Sequence, residues 1–231
     1  MVVNAAKTSM MCISGAINYE ADAFILDSDQ ERIGCTDTIK ALGLRLSNRL
    51  DMEEHVKYII KAFRARYWTL RNLKGNGFNT EELVQVYKTM IRPIAEYSCP
   101  AFHSTLTDEQ DERLERLQDH ALKTIFGVGK SARTLRGEAR ITTLRERREE
   151  LVSKFAHKCA NDPAFDHWFP KRETTRNTRN KNTETYLEEK ARCDRLKNSP
   201  IFYFRRILNG KVGKEYGKRN RSYREDVEGR T

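Results

Sequence analysis

The alternation of apolar and polar positions predicts short strands at the beginning of the chain and amphipathic helices after them. In the stretch LVQVYKTMIRPIAEYSCPAF, from 83 to 102, apolar residues recur at helical spacing. This helix is expected to begin near Thr80, whose hydroxyl precedes two glutamates, and to kink or end at Pro93. Its predicted core face consists of Leu83, Val86, Tyr87, Met90, Ile91 and Ile94.

Three further segments have the same helical pattern. One runs from Asp51, the expected cap, to about Leu73, a second from Asp108 to about Phe126, and a third from about 143 to 159. The small, basic segment 129–140 is predicted to be a loop, and 198–210 a short ordered piece. The predicted core residues of the three helices are Val56, Ile59, Ile60, Phe63, Tyr67 and Leu70, then Leu114, Leu117, Ala121 and Ile125, then Leu144, Leu151 and Phe155.

The first 50 residues contain short apolar runs at 10–14, 23–26 and 38–46, which are typical of strands. Strands of this length do not form a stable isolated sheet. We therefore expect the chain to begin in the middle of a domain. The predicted fold class is α+β, mostly α, with a small antiparallel β-sheet at the N-terminus followed by amphipathic helices and a basic, partly disordered tail.

Charge is concentrated at the C-terminal end of the chain. The formal net charge is +10, and the last 61 residues hold 18 Lys and Arg against 9 Asp and Glu. A basic segment of this kind indicates a polyanionic partner, most simply nucleic acid, or else a solvated tail without a specific ligand. Composition divides the chain into segments 1–50, 51–170 and 171–231, the last being a basic linker and tail.

The helix after Asp51 carries basic residues on its outer face, with two aromatic residues, Tyr67 and Trp68, nearby. Such a face is able to follow a phosphate backbone while aromatic rings stack on bases. The alternative is a solvated face whose aromatic residues belong to the core. The basic residues are Lys57, Lys61, Arg64, Arg66 and Arg71.

No metal site is predicted. Asp27 and Asp29 fall in an expected hairpin turn, where aspartate is favoured for local backbone bonding. His157, Cys159 and His167 lack the paired spacing of zinc ligands. The scattered cysteines indicate an intracellular protein, nuclear or cytoplasmic, and no apolar run approaches the length of a membrane span.

Five stretches, taken in order, resemble the downstream part of the reverse transcriptase of non-LTR retrotransposons. The resemblance covers most of residues 3 to 210. It implies the end of the palm, a primer-grip-like strand at LGLRL, and thumb and post-thumb helices that guide a template–primer duplex. The stretches are VVNAAKTSMM, KALGLRLSNRLDMEEHV, YKTMIRPIAEY, LERLQDHALKTIFG and LRERREELVSKF.

The resemblance also implies roles for individual residues. Asn4, Lys7 and Thr8 match an Asn-x-x-Lys-Thr motif whose lysine lies near the phosphates of the incoming nucleotide. Leu42 and Gly43 match the Leu-Gly of the primer grip, where glycine permits close backbone approach. The basic residues expected to contact nucleic acid are Lys57, Lys61, Arg64, Arg71, Lys130, Arg133, Arg147, Arg148, Arg205 and Arg206.

The chain departs from the family in its acidic residues. Polymerase chemistry needs carboxylates that hold two magnesium ions, and this sequence contains no Asp-Asp pair. We therefore expect an inactive, truncated fragment or nucleic-acid-binding remnant that binds RNA or an RNA/DNA duplex and holds no cofactor, although the full-length enzyme would require magnesium. The alternatives are a helical protein-interaction module with a solubilising basic tail, or a chain that does not fold stably.

Overall fold

The computed structural model describes residues 8–13, 24–26, 31–33, 35–171, 185–188 and 190–211. This part of the chain is mostly helical, with short antiparallel strands preceding the helices, which confirms the predicted fold class. None of its helices is long and apolar enough to cross a membrane.

Over the described residues the chain forms two compact units. One consists of Met1–Ser98 and Leu106–Arg145, and the other of Cys99–Thr105 and Glu146–Thr231. These bounds follow spatial packing and differ from the predicted segments, which follow composition.

Among the described residues, the strands form two separate hairpins. In the first, β1 (Phe24–Leu26) pairs with β2 (Glu31–Ile33), and in the second, β3 (Thr38–Ala41) pairs with β4 (Leu44–Ser47). The run 38–46 is therefore a hairpin and not the single strand we predicted. Leu42 and Gly43 form its turn, with φ of 48° and 87°, a backbone conformation that matches the twist of the strands it joins.

In the first unit, α1 (Glu53–Gly75) packs on α5 (Asp108–Phe126) and on the segment 80–96. The expected cap, Asp51, accepts a hydrogen bond from the Glu53 amide at 3.2 Å, one residue before the position that caps this helix. Thr107 and Gln110 form a reciprocal capping box at the start of α5. The buried apolar residues of the two helices are Val56, Ile59, Phe63 and Leu70 on α1, and Leu114, Leu117, Ala121, Leu122 and Ile125 on α5.

We expected one helix to begin near Thr80. The structure has three consecutive elements there, α2 (Thr80–Val86), a π-helical turn (Tyr87–Ile91) and α3 (Pro93–Glu96). Asn79, not Thr80, caps it, in a capping box with Glu82. Leu83, Tyr87, Ile91 and Ala95 are buried at steps of four residues, because the wider π turn keeps them on one face. For the same reason Met90, predicted to lie on this face, is 54% exposed.

The short helix α4 (Cys99–Phe102) and a 3₁₀ turn (His103–Thr105) interrupt the first unit and belong to the second. The predicted loop at 129–140 is wrong, because α6 (Ala132–Ala139) lies there and buries Leu135 and Ala139. Ser131 caps it by accepting from the Thr134 amide at 3.2 Å. Only two side chains of this eight-residue helix are buried, so its helical periodicity is weak. The neighbouring glycines and basic residues favoured the prediction of a loop.

The helix α7 (Leu144–Ala160) has a buried stripe that differs from the predicted one. Buried residues recur at steps of three or four, and Arg148, which we expected to contact nucleic acid, is fully buried on this stripe. Phe155, expected in the core, is 37% exposed because the stripe passes one residue beyond it. The stripe consists of Leu144, Arg148, Val152, Ala156 and Cys159.

The rest of the second unit contains a 3₁₀ turn (Pro163–Trp168), α8 (Asp194–Lys197) and α9 (Pro200–Leu208). The helix α9 lies within the segment 198–210 that was expected to be ordered. Its Phe204 is buried and packs edge-on against Phe155, with ring centroids 5.7 Å apart.

Candidate nucleic-acid interface

A groove of about 810 Å³ lies on the first unit between α1 and α5. Five of the side chains that line it are Lys or Arg, and none is acidic. A polyanion entering the groove therefore meets cations on both walls. The lining residues are Lys57, Ile60, Lys61, Arg64, Tyr67, Arg113, Arg116, Leu117 and His120.

Helical spacing places the groove residues on facing surfaces. Lys57, Lys61 and Arg64 follow one another at intervals of four and three residues along α1, which puts them on one face. Arg113, Arg116 and His120 are spaced by three and four residues along α5 and have the same relationship to one another.

The floor of the groove is fixed by Tyr67. Its hydroxyl donates to the Leu117 carbonyl oxygen at 2.6 Å, and its ring centroid lies 4.7 Å from that of His120. Burial raises the pKa of Tyr67, so this hydroxyl stays protonated and continues to donate. This hydrogen bond, between residues 50 positions apart, joins the two walls of the groove.

Three of the five cations have carboxylate partners. Arg113 Nη1 lies 2.8 and 2.9 Å from the two carboxylate oxygens of Glu53, and this contact lowers the pKa of Glu53. Lys57 pairs with Glu54 at 2.8 Å, which raises the pKa of the lysine, and Arg116 pairs with Glu112 at 3.0 Å.

Lys61 and Arg64 differ from the other three, because neither makes a hydrogen bond or ion pair with any residue in the described part of the chain. Both side chains are exposed. Their charge is therefore not compensated locally, and a phosphate that binds them displaces no carboxylate.

The structure brings together only some of the predicted nucleic-acid-binding residues. Lys57, Lys61 and Arg64 line the groove, and Arg71 is exposed further along α1. On or next to α6, away from the groove lining, Lys130 pairs with Glu138 at 2.7 Å and Arg133 is exposed.

The predicted arginines of the second unit have partners within the protein. Arg147 pairs with Glu150 at 2.7 Å, and the Lys154 and Arg147 contacts lower the pKa of Glu150 to about 2. Arg205 is buried and donates from Nε to the Trp168 carbonyl oxygen at 2.8 Å, while Arg206 donates to the Lys197 carbonyl oxygen at 3.1 Å. Because Arg148 and Arg205 are buried, neither is accessible to a phosphate in this structure.

The residues matched to sequence motifs lie at the N-terminal end. Asn4 and Lys7 are outside the described residues, as are Asp27 and Asp29, and Thr8 is exposed. Leu42, at the tip of the second hairpin, is 93% exposed, and its carbonyl oxygen accepts from the Tyr97 hydroxyl at 2.9 Å.

Sequence reasoning missed the α5 wall of the groove. A signal was present, because Arg113, Arg116 and His120 share one face of the predicted helix. The acidic residues interspersed with them are typical of an ordinary solvated face. Only its packing on α1 shows that these three side chains face the basic residues of α1.

Comparison of the chain with models of protein families, with curated proteins and with solved structures finds no match. In the part that the structure describes, no cluster of three or more His, Cys, Asp or Glu is arranged to hold a metal ion. The fold and the groove thus define a mostly helical protein that presents cations on both sides of a cleft.

Proposed function

We propose that the chain is a thumb-like, nucleic-acid-binding part of a non-LTR retrotransposon reverse transcriptase, and that it binds RNA or an RNA/DNA template–primer through phosphate contacts. The ordered sequence resemblance supports the family. The observation that carries the binding function is the groove between α1 and α5, which five cations and no carboxylate line.

Binding through the groove has a defined dependence on salt. Each phosphate that a cation neutralises releases condensed counterions, so the slope of log affinity against log salt is about −0.9 per contact. Lys61 and Arg64 contribute fully, since they have no internal partner in the described chain. The cations paired with Glu53, Glu54 and Glu112 contribute less, because phosphate competes with those carboxylates. We expect a slope between about −2 and −5 for the groove alone. Phosphate contacts made by the basic residues of 171–231 would make the slope more negative.

The test is fluorescence anisotropy of a labelled RNA/DNA hybrid, titrated between about 50 and 200 mM salt. Replacing Lys61 and Arg64 together with alanine should weaken binding about tenfold at the lower salt and reduce the slope by about 2. The matched control replaces Arg49 and Lys158, which are exposed, have no partner among the described residues and do not line the groove. Equal losses in the two double variants, or binding insensitive to salt, would refute the groove as the binding site.

The basic C-terminal segment is proposed to strengthen binding without sequence preference. Removing 171–231 should weaken binding to all sequences by a similar factor, with circular dichroism to verify that the first unit keeps its helices. Full affinity without this segment would refute its role in binding.

We also propose that the chain does not polymerise DNA by itself, since its sequence has no Asp-Asp pair to hold the two metal ions. Primer extension on an RNA template, with magnesium or manganese, is expected to give no product. Templated synthesis by the purified chain would contradict this part of the proposal.

The alternative, a helical protein-interaction module, requires apolar faces that remain open to a partner. The central apolar residues of α1 and of the segment after Thr80 are buried, and the Phe63 and Tyr87 ring centroids lie 6.2 Å apart. These two faces pack on each other, so they offer no continuous apolar patch to a partner. This packing favours the nucleic-acid-binding function.

A further inference from the structure

Trp68 on α1 is 71% exposed, and it has no ring contact or hydrogen bond with any residue in the described part of the chain. Tryptophan is usually largely buried, because its indole removes more apolar surface from water than most side chains. Trp68 contributes nothing to the core of the first unit, whose buried residues on α1 lie on the opposite face. Its indole ring is therefore open to a partner.

Two of the neighbours of Trp68 on the helix surface, Arg64 and Arg71, are cations. With about 100° of rotation per residue, the side chains at 57, 61, 64, 68 and 71 lie within an arc of about 80°. All five are exposed. They form what we call the Trp68 stripe, which consists of Lys57, Lys61, Arg64, Trp68 and Arg71.

The dimensions of the Trp68 stripe match a short single strand. At a rise of about 1.5 Å per residue, Lys57 and Arg71 are about 21 Å apart along the helix. A stacked strand advances about 3.4 Å per nucleotide, so the stripe spans about six nucleotides. Trp68 lies about 6 Å from Arg64 and about 4.5 Å from Arg71 along the axis, which leaves a phosphate position on each side of the indole.

Cations that follow the backbone, with an aromatic ring between them, are the two components of single-strand binding surfaces. A base inside a duplex is covered on both faces by its neighbours and cannot stack on Trp68, whereas an unpaired base along a single strand can. An acidic peptide would pair with the cations but would leave the indole exposed. Charge and the aromatic ring together therefore favour single-stranded nucleic acid over duplex or peptide.

We propose that Trp68 stacks on an unpaired base of a single-stranded nucleic acid whose phosphates lie along Lys57, Lys61, Arg64 and Arg71. This inference rests on the proposed function, because the stripe shares Lys57, Lys61 and Arg64 with the groove. It specifies that the nucleic acid bound along these cations is single-stranded.

The experiment uses the full chain with Trp168→Phe, so that Trp68 is the only remaining tryptophan. An oligothymidylate of about 12 nucleotides is titrated while Trp68 fluorescence is recorded, next to an abasic strand of equal length and charge. Stacking predicts strong quenching by the oligothymidylate and little quenching by the abasic strand. In anisotropy, Trp68→Ala should weaken oligothymidylate binding about tenfold and abasic binding less than about twofold, with Trp68→Phe retaining most of the affinity.

Several outcomes would overturn the inference. If Trp68→Ala binds oligothymidylate as tightly as the wild type, the stacking is refuted. The proposed function still stands in that case if the Lys61/Arg64 double variant binds the RNA/DNA hybrid more weakly than the wild type. Equal quenching by the abasic strand or by polyglutamate also refutes it, and polyglutamate binding as tight as oligothymidylate binding would make an acidic peptide the occupant. If the Lys61/Arg64 double variant binds the RNA/DNA hybrid like the wild type, the proposed function itself fails.

Discussion

The ring of Tyr97 lies against the backbone of Gly43, so close that a Cβ atom at this glycine would meet Tyr97 Cε1 at 2.9 Å. The Tyr97 hydroxyl donates to the carbonyl oxygen of the preceding residue, Leu42, at 2.9 Å. Gly43 also has a φ of 87°, a backbone angle that residues with a side chain rarely adopt. This contact joins the tip of the second hairpin to the end of α3, 54 residues later in the chain.

We predict that Gly43→Ala lowers the free energy of unfolding by about 2 kcal/mol, half from the unfavourable φ and half from displacement of the Tyr97 ring. Gly77→Ala is the matched control, because Gly77 has a φ of 86° with nothing within 4 Å of an added Cβ. Urea unfolding should show the larger loss at Gly43, and the difference should vanish in a Tyr97→Ala background. An equal loss at both glycines would mean that the Tyr97 contact contributes nothing.

A buried polar relay is expected to stabilise the first unit. The Tyr87 hydroxyl donates to Gln118 Oε1 at 2.8 Å, and Gln118 Nε2 donates to the Thr142 carbonyl oxygen at 3.0 Å. Gln118→Leu leaves the tyrosine hydroxyl and the carbonyl without their partner, which should cost about 2–4 kcal/mol. Adding Tyr87→Phe should recover about 1 kcal/mol, since one of the stranded groups is then removed. If adding Tyr87→Phe to Gln118→Leu lowers the free energy of unfolding further, the relay does not stabilise the first unit.

Stability should depend on pH through His55. Burial, with a smaller effect of Arg45, lowers the pKa of this imidazole to about 4, and the backbone amide of Arg45 donates to its Nδ1 at 3.5 Å. The unfolded chain has an ordinary histidine pKa of about 6.5, so between pH 6.5 and 4 the unfolded state binds more protons than the folded state. The free energy of unfolding should therefore fall by about 1–3 kcal/mol as pH drops through this window.

His55→Asn is expected to remove that part of the pH dependence, because the amide oxygen accepts from Arg45 without titrating. The measurement is urea unfolding at several pH values between about 4 and 7, taken as the difference from the wild type. His157→Asn is the control, since His157 is exposed. If the two variants show the same pH dependence, protonation of His55 does not contribute to the pH dependence of stability.

Arg148 is predicted to act in stability and not in binding. It is fully buried on α7, whereas its neighbour Arg147 is partly exposed and pairs with Glu150 at 2.7 Å. Arg148→Ala should lower the free energy of unfolding by about 2–4 kcal/mol and Arg147→Ala by less than about 1 kcal/mol. Thermal unfolding monitored by circular dichroism separates them. A nucleic-acid-binding defect in Arg148→Ala at unchanged melting temperature would contradict the structural role.

The helices that sequence predicted well are those whose signals are local. The bounds of α5 agree with the prediction to the residue, because Thr107 and Gln110 cap one end, Gly127 ends the other, and four apolar residues mark the buried stripe. The π turn after α2 was not predictable in this way. A 3.6-residue period placed Met90 in the core, whereas the wider turn moves it to the surface.

The sequence by itself determined the α+β class, the main helices and the basic outer face of α1, since these depend on residue spacing and charge within one segment. The tertiary structure decided which charged or aromatic side chains face a groove, the core or solvent. Arg113 and Lys61 share a groove only because α5 packs on α1, and Arg148 is buried on a stripe that its charge had concealed. Trp68 is exposed because the core of the first unit lies on the other face of α1, which depends on helices distant in sequence.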